Sequence, residues 1–203
     1  MSAVTTSPPT TRSAGTRTAL TAASLVGALA SAGYIAGLFL LSGLSTAEAQ
    51  SAPLTITECL LAGLAYVVVA VTLPGLAGAT RLPRWALSVA AVGCAFIAIQ
   101  AWSYGTFGAD LANRLPSEQF EQLSKDVTFL FQLMFVPMGL ICLVGFVALA
   151  VVGWRWRAMS RGACVLFVLA GLVSLLGPFP PVGLLAGLAV AWTARSAQPT
   201  GES

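Results

Sequence analysis

Three polar side chains lie near the ends of long apolar runs: Glu58, Gln100 and Gln132. A carboxylate and two amides offer acceptors and donors for a polar ligand group, but no obvious means of breaking a bond. If the surrounding runs cross a membrane as antiparallel neighbours, all three residues fall near the outer ends of the second, third and fourth crossings. There they would line an outward-facing polar cavity. Pro137 is a fourth candidate, because a proline within a helix frees the carbonyl one turn back, near Leu133, for a ligand or a neighbouring side chain. The alternative for each polar residue is an interhelical hydrogen bond, worth about 0.6 kcal/mol in a membrane bundle.

The equipment of common enzymes is missing from the chain. It has no histidine, and no GxSxG elbow, P-loop or Rossmann fingerprint can be read in it. The four cysteines, Cys59, Cys94, Cys142 and Cys164, form no CxxC pair and sit in or beside apolar runs, as small buried hydrophobes do. No disulfide framework, metal site or cofactor is expected. The acids Asp110, Glu118, Glu121 and Asp126 have no spacing that demands proximity, and they read as a solvated face. A net charge of +3 with scattered arginines excludes the basic face of a nucleic-acid binder.

The elements that must position these residues are membrane helices. The chain is 57% hydrophobic and 8% charged, with a mean hydropathy of +0.87, whereas a soluble domain carries about 25% charged residues. The clearest run, 127–153, is uncharged, preceded by Lys125-Asp126 and followed by Trp154-Arg155-Trp156-Arg157. About 20 helical residues cross a hydrocarbon core of roughly 30 Å, so this run spans the bilayer, and its arginines mark the cytoplasmic side.

The remaining chain resolves around that span. Residues 1–17 are rich in Ser, Thr and Pro and read as a disordered cytoplasmic tail. A run at 19–44 follows, with Gly33 and Gly37 four apart, a spacing that lets another helix approach closely. Its apolar part of about 25 residues exceeds the 7 to 15 of a signal-peptide core, so an intact span is favoured over cleavage near Ala47-Glu48-Ala49. The second span, 59–79, contains Pro74-Gly75 near its end. A tight Arg81-Leu82-Pro83-Arg84 turn leads to the third span, 85–104. Residues 105–126 form an outer loop, either a solvated connector or an amphipathic surface helix beginning near Pro116-Ser117. The last apolar stretch is too long for one crossing and is cut by Gly177-Pro178-Phe179-Pro180-Pro181, which predicts two short spans, 162–177 and 182–194. Gly183 and Gly187 offer a second close-packing face, and 196–203 is a cytoplasmic tail.

Charge supports this arrangement. With both termini inside, eight of the ten basic residues fall on the cytoplasmic side and six of the seven acids outside. The expected fold is therefore an all-α, polytopic helical membrane bundle of six spans, with five as the alternative. Arginine outnumbers lysine nine to one, a bias typical of a GC-rich genome, and a bacterial cell membrane is the expected location. Two functions fit. One is a non-enzymatic accessory or scaffold component that binds a membrane-protein partner, or a second copy of itself, through the glycine faces and segment 105–126. The other is a small carrier for apolar or lipid-like solutes, with a polar-lined path between spans two, three and four.

Overall fold

The computed structural model describes residues 10–126, 128–178 and 180–196, with side chains described for 15–123, 135–178 and 180–196. The described chain is all-helical, without strands. Four helical stretches are long and apolar enough to cross a membrane: Gly15–Leu40, Pro53–Gly78, Arg84–Arg114 and Phe135–Arg155. Two shorter helices complete the set.

Helix α1 runs Thr10–Leu40, so residues 10–17 are helical and not the disordered tail their composition predicts; residues 1–9 lie outside the described chain. Extending a helix that already exists adds a hydrogen bond per residue without a new nucleation cost, and no proline stands between Thr10 and Leu40 to stop it. The Thr16 methyl group faces Gly75 across the bundle. The helix also ends before residue 44, and 41–44 form a turn.

Ser45 then caps α2, Thr46–Ser51, in a reciprocal box: its side chain accepts from the Glu48 N–H, and the Glu48 side chain accepts from the Ser45 N–H. Helix α3, Pro53–Thr72, starts six residues before the expected boundary at 59, with proline at its first position, where the missing N–H costs nothing. Glu58 therefore sits within the second long helix and not at its mouth. Beyond Thr72 the chain tightens into a 3₁₀ turn, Leu73–Gly78, around Pro74. Helix α4, Arg84–Ser103, passes through a π turn, Tyr104–Gly108, into α5, Ala109–Arg114. Helix α6, Ser117–Asp126, begins just after Pro116. Segment 105–126 is thus helical almost throughout, continuing the third span before it turns.

Helix α7, Thr128–Arg155, continues through Pro137. Helix α8, Arg161–Val173, is capped by Ser160 and ends in a 3₁₀ turn, Ser174–Leu176. Gly177, with φ 119°, occupies a conformation that favours glycine. Helix α9, Pro180–Ser196, follows, two residues longer at each end than expected; the tail beyond it lies outside the described residues.

The six principal helices form a closed ring in chain order. Helix α1 packs on α3, α3 on α4, α4 on α7, α7 on α8, α8 on α9, and α9 returns to α1. Helix α4 also contacts α9 across the ring. The core is built from Tyr66, Phe146, Phe167, Leu87, Leu149 and Val190 among others, all essentially inaccessible. Small residues set the spacing: a Cβ on Gly145 would stand 2.8 Å from the Val89 carbonyl of α4. Gly183 and Gly187 face α1, where a Cβ on Gly187 would stand 2.7 Å from the Ser24 carbonyl and 2.6 Å from the Tyr66 hydroxyl. The buried Tyr66 hydroxyl donates to the Gly183 carbonyl and so ties α3 to α9.

Candidate functional site

The ring is solid at the end bearing the arginine turns and open at the other. The cause is helix length. Helices α1 and α7, of 31 and 28 residues, are about 46 and 42 Å long at 1.5 Å per residue. Helix α9, with 17 residues, reaches only about 25 Å, and α8 with its 3₁₀ turn is no longer. The α8–α9 hairpin turns back at Leu176 to Pro180, short of the ends of its neighbours. Between them lies a cavity of about 310 Å³.

Five of the six ring helices contribute to this space, and the turn that follows the sixth, α8, closes it. The C-terminal half of α1 supplies Ser31, Tyr34 and Leu38, and the start of α3 supplies Glu58, Cys59 and Ala62. The end of α4 brings Ile97 and Gln100, and the π turn brings Tyr104. Phe135 of α7 closes one side, and Gly177 and Pro178 of the hairpin bend close another. Helix α2 lies over the π turn and α5; the Gln50 side-chain amide donates to the Tyr104 carbonyl at 2.9 Å, and the Thr55 hydroxyl donates to the Ala49 carbonyl at 2.8 Å.

Among the described lining residues Glu58 is the sole carboxylate, and none is a lysine or arginine. Its side chain lies against the glycine face of α1. A Cβ on Gly33 would collide with Glu58 Oε1, and one on Gly37 would stand 3.4 Å from Oε2. The GxxxG spacing of the first helix thus admits a carboxylate side chain, not the close approach of a second backbone. Oε2 is buried and has no hydrogen-bond partner among the described residues. Buried polar atoms are nearly always paired, and one that is not calls for an explanation.

The structure brings Glu58 and Gln100 together at this cavity, and Gln100 is only 7% exposed. Gln132 lies in α7 three residues before Phe135, but its side chain falls outside the described residues. Pro137 is exposed and does not line the cavity. Past it, the Ser174 hydroxyl donates to the Gly139 carbonyl at 2.9 Å and joins α8 to α7. Gly183 and Gly187 are spent on the α1 and Tyr66 contacts within the chain.

Sequence reasoning did not single out Tyr34, Tyr104 or Cys59 for this site. Tyr34 carried a usable signal, an aromatic hydroxyl between Gly33 and Gly37 on the same helix. Tyr104 carried none, because the π turn that brings it to the cavity leaves no mark in composition. All four cysteines are free and buried. Among the described residues no three metal-ligating side chains gather. No protein family, curated protein or solved structure matches the chain.

Proposed function

We propose that this chain is a six-span membrane protein that binds a small solute in the cavity at its outer end, as a carrier or receptor for that solute. Membrane residence draws support from the outer surface of the ring, where Leu29, Phe39, Leu40, Val71 and Val144 all project outward. Soluble monomers rarely expose so much contiguous apolar surface. Orientation follows the arginines, with Arg81, Arg84, Arg155, Arg157 and Arg161 at the cytoplasmic end and the cavity facing out.

The observation that carries the functional reading is Glu58, a carboxylate on an intramembrane helix facing a cavity with one oxygen unpartnered. Ionisable groups at such positions are expensive and usually mark a solute path. The scaffold reading is weakened in the form that relied on glycine faces, since Gly33, Gly37, Gly183 and Gly187 all meet groups of the same chain. What favours it is α6, whose polar residues Glu118 and Gln119 are exposed.

A cysteine introduced at Tyr34, which lines the cavity and is half-buried, tests the proposal. A membrane-impermeant methanethiosulfonate reagent added from outside to cells or sealed vesicles should label Tyr34→Cys at least about tenfold faster than Cys94, which sits in the closed core, as read by the mass of the labelled peptides. Equal and slow labelling of the two would refute an outward-open cavity. Labelling of Tyr34→Cys from the inner side alone would reverse the orientation.

A further inference from the structure

We infer that the solute is a small organic cation, an ammonium or guanidinium on a compact apolar body, with Glu58 as its counter-ion. The inference rests on the binding cavity proposed above and adds the chemical class of its occupant. The first argument is charge. Glu58 carries a full negative charge when ionised, and no lysine or arginine among the described lining residues neutralises it. An anionic solute would meet this charge at close range in a medium that screens poorly, and a neutral one would leave it uncompensated. A cation supplies the missing partner and a donor for the buried, unpaired Oε2.

The second argument is the wall. Tyr34 and Tyr104 both line the cavity with Glu58, and tyrosine faces attract cations, more strongly when the pair is desolvated. The rest of the lining, including Leu38, Ile97 and Phe135, is apolar and suits a hydrocarbon body. The third argument is size. A volume of about 310 Å³ lies at the low end for small-molecule sites and holds about ten non-hydrogen atoms, taking a water's share of roughly 30 Å³ for each.

2-Phenylethylammonium, whose primary ammonium carries N–H donors, fits that description, and propylbenzene is its uncharged carbon isostere. The test is calorimetric titration of both compounds into the full-length protein in nanodiscs, for wild type, Glu58→Gln and Glu58→Asp. The expected result is that the cation binds wild type, that Glu58→Gln weakens it at least tenfold, and that Glu58→Asp restores most of the loss. The isostere should bind Glu58→Gln and Glu58→Asp at least as well as wild type, which also reports that the variants are folded. If cation and isostere bind alike and Glu58→Gln moves neither, the cation inference is overturned while the cavity stands. Failure of wild type to bind the cation, with Tyr34→Cys still reactive from outside, overturns it too. An unreactive Tyr34→Cys removes the cavity reading and this inference with it.

Discussion

The two ends of the helical ring are made from the same six helices, yet one is packed and the other hollow. At the arginine end, Leu20, Leu82, Leu149, Met159 and Val190 meet in a continuous core that also contains Phe146 and Phe167, whose rings lie 5.9 Å apart. At the opposite end, the early return of the α8–α9 hairpin withdraws two helices from the ring and leaves a cavity, onto which one carboxylate, one amide and two tyrosines face among apolar side chains. Stability is concentrated at one end, and the capacity to bind at the other. Function of this kind costs packing, and a short helix pair is a simple way to place that cost.

Substitutions can break or sharpen this contrast. The largest effect is expected at the packed end, where Phe146→Ala should destabilise the protein by about 3 kcal/mol, since a large buried aromatic is lost and the ring cannot close over the gap. Reversible denaturation in mixed micelles would measure it; a loss below about 1 kcal/mol would mean the arginine end is not the stabilising half. At the hollow end the sign should reverse. Replacing Glu58 with leucine removes a buried oxygen that has no partner and should stabilise the protein by about 1 kcal/mol in the absence of solute, read by the same method. A clear destabilisation would show that the carboxylate is structurally paired and would erase the contrast.

The smallest effect concerns α2, above the hollow end. Hydrogen bonds from the Ser45 N–H and hydroxyl hold the Glu48 carboxyl below its usual titration range. A folded-state value depressed in this way means that the capping contribution is present at neutral pH and is lost as pH falls through the carboxylate's own range. Because Glu48 is solvent-exposed, the expected change is local fraying, seen as reduced amide-exchange protection of 46–51 at acid pH and absent in Glu48→Gln. A shift in the global melting point would contradict it.

Much of the architecture can be read without coordinates. Residues 127–153 announce a helix by length and lack of charge, and the Pro178, Pro180 and Pro181 cluster announces a break, because proline lacks the donor a continuing helix needs. The helical character of 10–17 and of 105–114 was not legible. In both places a strong neighbouring helix propagates through residues that would not form one alone, and composition counts residues without weighing what is already nucleated beside them. Glu58 and Gln100 could be proposed as cavity residues from their position near the ends of apolar runs. Their common cavity with Tyr34 and Tyr104, and the fit of Glu58 against Gly33, could not.

The sequence by itself determined the helices, their breaks and the side from which their charges are read, because these depend on short-range chemistry: hydrophobic run length, proline, and the placement of arginine. The tertiary structure alone decided that the helices close into a ring in chain order, that the α8–α9 hairpin stops short, and that a carboxylate consequently faces empty space. Those outcomes depend on contacts between residues far apart in the chain, such as Tyr66 with Gly183 and Glu58 with Gly33. No local pattern encodes the distance between two helices that meet only after the whole ring has formed.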